Sequence, residues 1–372
     1  MSNVGLKNIT KIYPGKKGAE TTAVRDFSLD IQEREFVVLA GPSGSGKSSV
    51  VRMIAGLEEI SKGEIFLGDR RMNGVAPKDR DIALVVGNHA LYPRMSVYGN
   101  LAFPLALRKF SKTQIKKRVT AAAGIVELQQ SLESNPDSLS AEERQRVALG
   151  RALVRQPKVF LFDEPFANLD ATERTRMRAQ VKKLRQRLMA TIIYATSDPI
   201  EAMALAERII VMNNGAIEQD GDSASVYNEP ANMFVAGFLG SPPMNFIRGT
   251  IKVDRDSILF SETEDGTVKL RLAISDFPGA KEFVGQPVVL GLRPEDIQIA
   301  QASKASNTFA AIVDLVEPLG ATADLHLQTG AHNIVSRNRE GNDRVEAGHR
   351  SEFEVDLRKI HLFDPASGRR II

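Results

Sequence analysis

The stretch Gly41–Ser49, which reads G-P-S-G-S-G-K-S-S, restricts the possible folds of this chain more than any other feature. It satisfies the pattern G-x-x-x-x-G-K-[ST], with Gly41, Gly46, Lys47 and Ser48 in the fixed positions. This pattern is typical of a glycine-rich loop that leaves a strand, surrounds phosphate groups with backbone N–H groups and opens a helix. The alternative is a glycine turn that binds nothing.

The residues on either side of the loop favour the phosphate-binding interpretation. Glu35–Ala40 is a short β-branched and apolar run, which predicts a buried strand. Ser49–Gly56 has apolar residues at helical spacing, which predicts a helix. The order strand, glycine loop, helix is the local geometry that the pattern requires.

The residue types in the loop predict a triphosphate and its metal ion as the ligands. Glycines let the backbone approach phosphate oxygens closely, and the helix N-terminus adds partial positive charge. Lys47 is expected at the β- and γ-phosphates, the Ser48 hydroxyl on Mg²⁺, and Ser49 at the α-phosphate. The predicted cofactor-binding residues of the loop are Gly41, Pro42, Ser43, Gly44, Ser45, Gly46, Lys47, Ser48 and Ser49.

Composition limits the class of protein. The chain has 372 residues, of which 42% are hydrophobic and 26% charged. A soluble protein of two domains is therefore expected. Its N-terminus has no apolar signal region and it has no cysteine. No window approaches the ~18 apolar residues of a membrane span. The net charge is +3 and 6% of the residues are aromatic, which argues against nucleic acid as a partner. The histidines lack metal-ligand spacing.

The first part of the chain alternates strand and helix patterns, which indicates an α/β fold. A change to helical patterns after about residue 88 predicts a helical insertion at about 88–155, with helices at Leu101–Leu107 and Lys112–Leu132. A hairpin with an Asn-Gly turn is predicted at Arg208–Glu218, and a helical piece at Ala224–Leu239. The predicted strands in this part are Val4–Thr10, Ala23–Ile31, Gly63–Gly68, Asp81–Val86, Val159–Asp163 and Thr191–Thr196.

Three residues outside the loop are candidates for the same site. Val159–Asp163 is an apolar strand that ends in a carboxylate, and Glu164 follows it. Ligands of open α/β sheets lie at the carboxyl ends of the strands, so Asp163 is expected in the Mg²⁺ shell and Glu164 beside the attacking water. Solvated acids at a strand end are the alternative. Tyr13 ends the first strand, where an aromatic ring can stack on adenine; an ordinary strand-end tyrosine is the other interpretation.

After Gly240-Ser-Pro-Pro243, which marks a hinge, the pattern changes to short strands broken by Gly, Pro and Asp. This pattern predicts a small all-β barrel. Its predicted strands include Val288–Leu292, Ala311–Val316, Ala323–Leu327 and Glu352–Leu357.

Over essentially its whole length the chain resembles the ATP-binding subunits of ABC-type sugar importers, in the maltose and sn-glycerol-3-phosphate transporter class. The stretches that carry the resemblance include GPSGSGKSS, ALYPRMSVYGNLAF, RQRVALGRALVRQPKVFLFDEP, IEAMALAERIIVMNNGAIEQ and LGLRPEDI. The resemblance implies a phosphate-loop NTPase core with a helical insertion at residues 1–240. It also implies a C-terminal, OB-like β-barrel regulatory domain at residues 241–372.

The resemblance implies a head-to-tail dimer, either a homodimer or a heterodimer with a paralogous ATP-binding chain. Each of its two ATP sites would combine one chain's phosphate loop with the other chain's signature motif. Tyr13 would stack on adenine, Asp163 would bind Mg²⁺, and Glu164 would be the base. Asp170 would lie in the loop that couples the two sites. Ala90–Pro93 would line a groove for a cytoplasmic helix of a permease subunit, which implies a cytoplasmic location at the inner face of the membrane.

Three functional positions depart from the family pattern. Gly87 stands where the family has a glutamine that ligates Mg²⁺, and Ser197 stands where it has a switch histidine. The signature Leu-Ser-Gly-Gly-Gln reads Leu139-Ser-Ala-Glu-Glu143 here. A carboxylate beside a triphosphate is repulsive unless it turns outward.

The departures spare the residues expected to hold ATP, so the hypothesis is an importer subunit that binds Mg-ATP and hydrolyses it slowly or not at all. One alternative is an ATP-binding scaffold or regulator that docks on an active paralogue or on the permease. The other is a soluble phosphate-loop enzyme such as a kinase, which would leave Ala90–Pro93 unexplained. The transported solute is not encoded in this chain.

Overall fold

In a computed structural model, residues 3–15, 20–87, 91–263, 266–300, 307–339 and 345–372 are described. They divide into two compact units, residues 1–223 and 224–372. The helical segments between 223 and 238 fall in the second unit, although they precede the boundary predicted at 240. Over the described residues, every helix is too short or too polar to cross a membrane.

The first unit is built around a six-stranded sheet of order β10-β9-β3-β8-β7-β6. The strands from β9 to β6 run parallel, and β10 pairs antiparallel with β9. The inner strands β3, β7 and β8 are buried along their whole length, as expected where a parallel sheet is covered on both faces. The six strands are β3 (Phe36–Ala40), β6 (Ile82–Val86), β7 (Val159–Asp163), β8 (Thr191–Thr196), β9 (Arg208–Asn213) and β10 (Ala216–Gly221).

Among the described residues, a second, antiparallel sheet and six α-helices complete the first unit. The sheet has the order β2-β1-β4-β5, with β1 (Val4–Pro14), β2 (Glu20–Ile31), β4 (Lys62–Leu67) and β5 (Arg70–Arg71). The helices are α1 (Lys47–Ala55), α2 (Val97–Leu107), α3 (Lys112–Ile125), α4 (Ala141–Leu153), α5 (Ala171–Arg187) and α6 (Pro199–Leu205). The helix predicted over Lys112–Leu132 thus ends at Ile125, and a short 3₁₀ turn follows.

The second unit contains two antiparallel sheets that share one apolar core. One sheet has the order β13-β12-β11-β14-β20-β21, and the other has the order β15-β19-β16-β17-β18. The helical piece predicted at Ala224–Leu239 is two short helices, α7 (Ser223–Asn228) and α8 (Met233–Phe238), with Pro230 between them. The strands are β11 (Asn245–Asp254), β12 (Ser257–Glu262), β13 (Lys269–Ala273), β14 (Pro287–Leu292), β15 (Ile297–Ile299), β16 (Thr308–Pro318), β17 (Thr322–Gln328), β18 (Asn333–Arg339), β19 (Arg350–Val355), β20 (His361–Phe363) and β21 (Arg370–Ile371).

Arg80 fixes the C-terminal end of α1 and thereby the helix that carries the phosphate loop. Its guanidinium, 7% exposed, donates to the carbonyl oxygens of Met53 and Ile54 at 2.8 and 2.9 Å. It also donates to the carbonyls of Val75 and Met72 at 2.8 and 2.9 Å. The last carbonyls of a helix have no partner within the helix. Arg80 supplies a donor to the Ile54 carbonyl and a second donor to the Met53 carbonyl, which also accepts from the Gly56 N–H at 3.1 Å.

We predict that Arg80→Ala lowers the free energy of unfolding by about 2–4 kcal/mol, because it removes four hydrogen bonds to backbone carbonyls, three of which are buried. Chemical denaturation of the full chain measures the change. Arg71→Ala is the control, since the Arg71 side chain is 58% exposed and pairs with an exposed Glu64 at 3.0 Å. We expect that control to change the stability by less than about 0.5 kcal/mol. Equal effects of the two substitutions would contradict the helix-end role of Arg80.

Candidate active site

The glycine loop connects β3 to α1 as the sequence predicts, and Gly46 is the residue before the helix. Gly46 has φ 103°, in the left-handed region that favours glycine. A Cβ there would lie 2.4 Å from the carbonyl oxygen of Ala23, so the close packing also excludes a side chain. Because glycine cannot cap the helix with a side chain, the first N–H groups of α1 are left for an anion.

Lys47 is buried, and its ammonium group spans the loop. Its Nζ donates to the carbonyl oxygens of Gly41 and Pro42 at 2.8 and 2.9 Å. The same atom lies 3.7 Å from Oε1 of Glu164. Burial lowers the pKa of Lys47, and the Glu164 carboxylate opposes that change. The carbonyls hold the Lys47 ammonium group beside the N-terminus of α1. Both the ammonium group and the helix N-terminus attract phosphate oxygens there.

Ser48 and Asp163 form an oxygen pair of the kind that Mg²⁺ prefers. The Ser48 hydroxyl donates to Oδ1 of Asp163 at 2.6 Å, although the two residues come from α1 and the end of β7. The guanidinium of Arg52 lies 3.6 Å from the other oxygen of Asp163. A hydroxyl and a carboxylate are hard ligands that fit a magnesium ion bound with phosphates. Arg52 was not among the sequence candidates, although its i+4 spacing from Ser48 places both on one face of α1.

Glu164 is held by groups from two other elements. Its backbone has φ 45°, and its N–H donates to the carbonyl of Ala195 at 3.0 Å. Oε2 of its carboxylate accepts from the backbone N–H of Ser197 at 3.1 Å and from the Ser197 hydroxyl at 3.2 Å. The structure thus brings Lys47, Glu164 and Ser197 together at the carboxyl ends of β7 and β8, where parallel-sheet sites are found.

Gly87, at the end of β6, contacts the backbone of Glu164. A Cβ on Gly87 would lie 2.4 Å from the Glu164 carbonyl oxygen, closer than real Cβ contacts allow. The Gly87 carbonyl also accepts a hydrogen bond from the amide of Asn168 at 3.0 Å. The glycine therefore allows a close backbone approach at the carboxylate, a role that the sequence alone does not show.

We predict that Gly87→Ala lowers the free energy of unfolding by about 1–3 kcal/mol, because the Cβ forces β6 away from Glu164. Thermal or chemical unfolding of the two proteins measures this. The control is Gly124→Ala within α3, where the nearest atom to a Cβ is the Gln129 amide nitrogen at 3.7 Å. That substitution is expected to stabilise the chain by about 0.5–1 kcal/mol, because alanine favours helix. A neutral Gly87→Ala would mean that the two segments move apart freely.

Tyr13 also lies beside the loop. Its hydroxyl is 3.1 Å from the Ser49 hydroxyl, and the Lys11 ammonium lies 4.7 Å from the centre of its ring. Burial raises the pKa of this phenol. The structure therefore places Tyr13 next to the C-terminal end of the loop, and its role in stacking stays a prediction.

The altered signature forms the N-terminus of α4, and its two acidic side chains are already engaged. Ser140 and Glu143 cap each other: the Glu143 N–H donates to the Ser140 hydroxyl at 3.1 Å, and the Ser140 N–H donates to the Glu143 carboxylate at 2.9 Å. Glu142 is buried and pairs with Arg146 of the same helix and with Arg176 of α5 at 3.5 Å. Glu142 is therefore neutralised inside its own chain.

Asp170 and the signature residues stand apart from the phosphate loop. Asp170 caps α5, accepting from the Glu173 N–H at 2.8 Å. Among the described residues, no hydrogen bond or ion pair joins Ser140, Glu142 or Glu143 to the loop of the same chain. The described contacts therefore do not join the signature residues to the phosphate loop of this chain, and a site shared between two chains stays a prediction.

The segment predicted to receive a permease helix is described from Leu91 onward, and Ala90 lies outside the described residues. Tyr92 is partly exposed, with the ring of Phe103 at 4.7 Å and the Arg151 guanidinium at 5.4 Å. These side chains line a groove of about 730 Å³ together with Leu107, an exposed apolar residue. An apolar groove with a basic edge suits an amphipathic helix.

Comparison with known proteins agrees with this geometry. The family profile described as ABC transporter matches residues 24–167, that described as MalK OB fold domain matches 240–297, and that described as TOBE domain matches 290–363. The trehalose/maltose import ATP-binding protein MalK of Thermococcus litoralis is 45% identical over 388 residues, covering 100% of both chains. This chain belongs to the ABC transporter family. It is an ATPase-type subunit of that family with C-terminal OB-fold and TOBE domains, which confirms the fold class predicted from the sequence.

Other relatives of this ABC transporter subunit extend the comparison. The oligosaccharides import ATP-binding protein MsmX of Bacillus subtilis is 44% identical over 381 residues, covering 100% of both chains. An ATP-binding cassette solved as a dimer in a post-hydrolysis state, bound to ADP and phosphate, is 30% identical, with a TM-score of 0.53. The likeness covers 59% of this chain and 98% of that cassette. The resemblance stated from the sequence is thereby confirmed, including ATP as the nucleotide class of the family.

Proposed function

We propose that this chain is the ATP-binding subunit of an importer for a carbohydrate or related small solute, and that it binds Mg-ATP but turns it over slowly. The observation that carries the proposal is the convergence of Lys47, Ser48, Asp163 and Glu164 at the end of the parallel sheet. The full-length relatives named as trehalose/maltose and oligosaccharide importers support the transport role.

Each residue in the site has a distinct role in this proposal. Lys47 and the N–H groups of the loop bind the phosphates, and Tyr13 orients the base. Ser48 and Asp163 hold Mg²⁺, which supplies positive charge at the phosphate oxygens. Glu164 accepts the proton of the attacking water, and Ser197 fixes the orientation of that carboxylate through two hydrogen bonds.

Slow turnover follows from what the altered positions lack. Gly87 has no side chain that reaches a metal ion. The hydroxyl of Ser197 donates its hydrogen bond to Glu164, and a hydroxyl cannot become a cation. At the signature, the Glu143 carboxylate accepts from the Ser140 N–H and places a negative charge at the start of α4, where an anion would otherwise bind. Loss of one contact that acts in the transition state costs about 10²–10³ in rate.

The proposal also covers the other chains with which this subunit assembles. Because no described contact joins the signature to the phosphate loop of the same chain, the proposal includes the pairing of two ATP-binding chains, either as a homodimer or with a paralogue. The groove at Tyr92 would receive a cytoplasmic helix of the permease, so the complex would lie at the inner face of the membrane. Co-purification of this chain with its permease tests this, with Leu107→Asp as the groove variant and the exposed Met189→Asp as the control.

A second candidate function is a scaffold or regulator that binds ATP without hydrolysing it. The contact between Ser197 and Glu164 favours it, because the serine that stands at the switch position bonds the proposed base and cannot become a cation. Equilibrium binding and steady-state hydrolysis on one preparation separate the two functions. Measurable turnover that is abolished by Glu164→Gln supports the importer ATPase. Tight binding with no turnover above the Glu164→Gln background supports the scaffold.

A further inference from the structure

A cavity of about 690 Å³ lies within the second unit. Its lining comes from residues 227–229, 276–277, 293, 295–296, 357–362 and 370–372, none of which takes part in the nucleotide site. This volume is in the range of ~300–1,000 Å³ typical of small-molecule sites. The cavity therefore has the size of a ligand site that the ATPase role leaves unused.

His361 of β20 is the unexplained polar group in this lining. Its side chain is only 8% exposed, and its ring lies 6.1 Å from that of Phe363. Among the described residues, none hydrogen-bonds to its ring nitrogens, and these atoms are not fully buried, so they are open to the cavity. Burial, together with the charges of Arg370 and Arg293, lowers the pKa of His361 to about 4. At neutral pH the ring is uncharged, and it offers one N–H donor and one nitrogen acceptor.

The charges around the cavity are balanced and largely paired. The lining contains four basic and four acidic side chains, histidine not counted. Lys359 pairs with Asp296 at 2.7 Å, and Arg370 lies 3.8 Å from Glu229. Arg293 donates to the carbonyls of Leu239 and Tyr227 at 2.7 and 2.6 Å. Neither an anion nor a cation finds a surplus of opposite charge here.

We infer that this cavity binds a neutral, polyhydroxylated small molecule of mono- or disaccharide size, with His361 hydrogen-bonded to one of its hydroxyl groups. A hydroxyl both donates and accepts, and so does a neutral imidazole. The paired acidic and basic side chains supply further acceptors and donors without a net charge, and the buried Phe277 supplies an apolar surface. The inference does not depend on the proposed ATPase activity.

The test is an NMR titration of the full chain, labelled at its histidine rings, with maltose, trehalose and glucose, and with inorganic phosphate as the anionic probe. We expect a saturable shift of the His361 ring signals with at least one of the sugars and none with phosphate. His361→Ala should weaken that binding by about 5–10-fold, the worth of one neutral hydrogen bond. His361→Gln keeps a donor and an acceptor and should stay within about 3-fold. His349→Ala, at a side chain 69% exposed, is the control and should change nothing.

Two results would overturn the inference. One is the absence of any shift at His361 with all three sugars at concentrations up to tens of millimolar. The other is phosphate binding accompanied by a rise in the pKa of His361, which would make the cavity an anion site. Thermal unfolding of each variant establishes that the chain is folded. If His361→Ala is not folded, the sugar titration of His361→Gln still tests the inference.

Discussion

Lys47→Ala should raise the dissociation constant for Mg-ATP by about 10²–10³-fold, the largest effect on binding expected from one substitution in this chain. The ammonium group is buried between the carbonyls of Gly41 and Pro42 and lies 3.7 Å from Glu164, so solvent cannot replace its charge. Arg52 contacts Asp163 rather than the loop, and among the contacts described no other lysine or arginine side chain bonds to Gly41–Ser49. Equilibrium binding of a fluorescent ATP analogue measures the change.

The matched control for this variant is Lys182→Ala. Lys182 lies on α5 and donates to the carbonyl of Ala204 at 3.4 Å, far along the chain from the loop. It carries the same charge, so a general effect of charge on nucleotide binding would appear in both variants. Thermal unfolding shows whether Lys47→Ala still folds. A folded Lys47→Ala protein with unchanged affinity for ATP would contradict the site assignment.

Restoring the residue types of the family at the three altered positions should raise the rate of ATP hydrolysis by about 10²–10³-fold. Ser197→His is the most informative single change. Ser197 is exposed, so a larger side chain has room, and an imidazole can approach a phosphate and carry a charge. We expect it to raise turnover without loss of stability, whereas Ser197→Ala should give no gain.

The other two restorations carry a structural cost. Gly87→Gln places a Cβ 2.4 Å from the Glu164 carbonyl, so β6 must shift before the amide can act. Glu142→Gly removes the buried partner of Arg146 and Arg176, which would then repel each other. The rate gains of neighbouring residues are not additive, so the single and combined variants should be compared at equal stability. If a combined variant binds ATP but hydrolyses it no faster than the parent chain, these three positions do not explain slow hydrolysis.

The sequence predicts the parts of this molecule that depend on local chemistry. The loop pattern and the apolar run before Asp163 place the site at one edge of a parallel sheet, and Ser48 and Asp163 do meet there at 2.6 Å. The Asn-Gly hairpin is also confirmed, with φ 46 at Asn214 and φ 80 at Gly215. Both values are positive, as such a turn needs.

The rest depends on contacts between distant segments, which a single sequence does not reveal. The sequence does not show whether the Glu142 carboxylate faces the triphosphate or turns away from it. Its partner Arg176 lies on another helix, so the pairing is not visible in the sequence. From the sequence, Gly87 is interpreted only as the loss of a glutamine side chain. The structure shows a close backbone contact with Glu164 that any Cβ would disturb. The all-β, OB-like fold predicted for the C-terminal part is confirmed, while the order in which its strands pair depends on contacts that hydrophobic periodicity does not give.

The central claim is that this chain holds Mg-ATP and turns it over slowly, and steady-state hydrolysis at saturating Mg-ATP tests it most directly. The purified full chain is assayed beside an equilibrium binding measurement on the same sample, with Glu164→Gln as the background. The account predicts binding in the range of ~1 μM–1 mM and turnover below about 0.1 s⁻¹, which is roughly 10²-fold or more under a typical enzyme. Turnover of about 10 s⁻¹ that disappears in Glu164→Gln would contradict it.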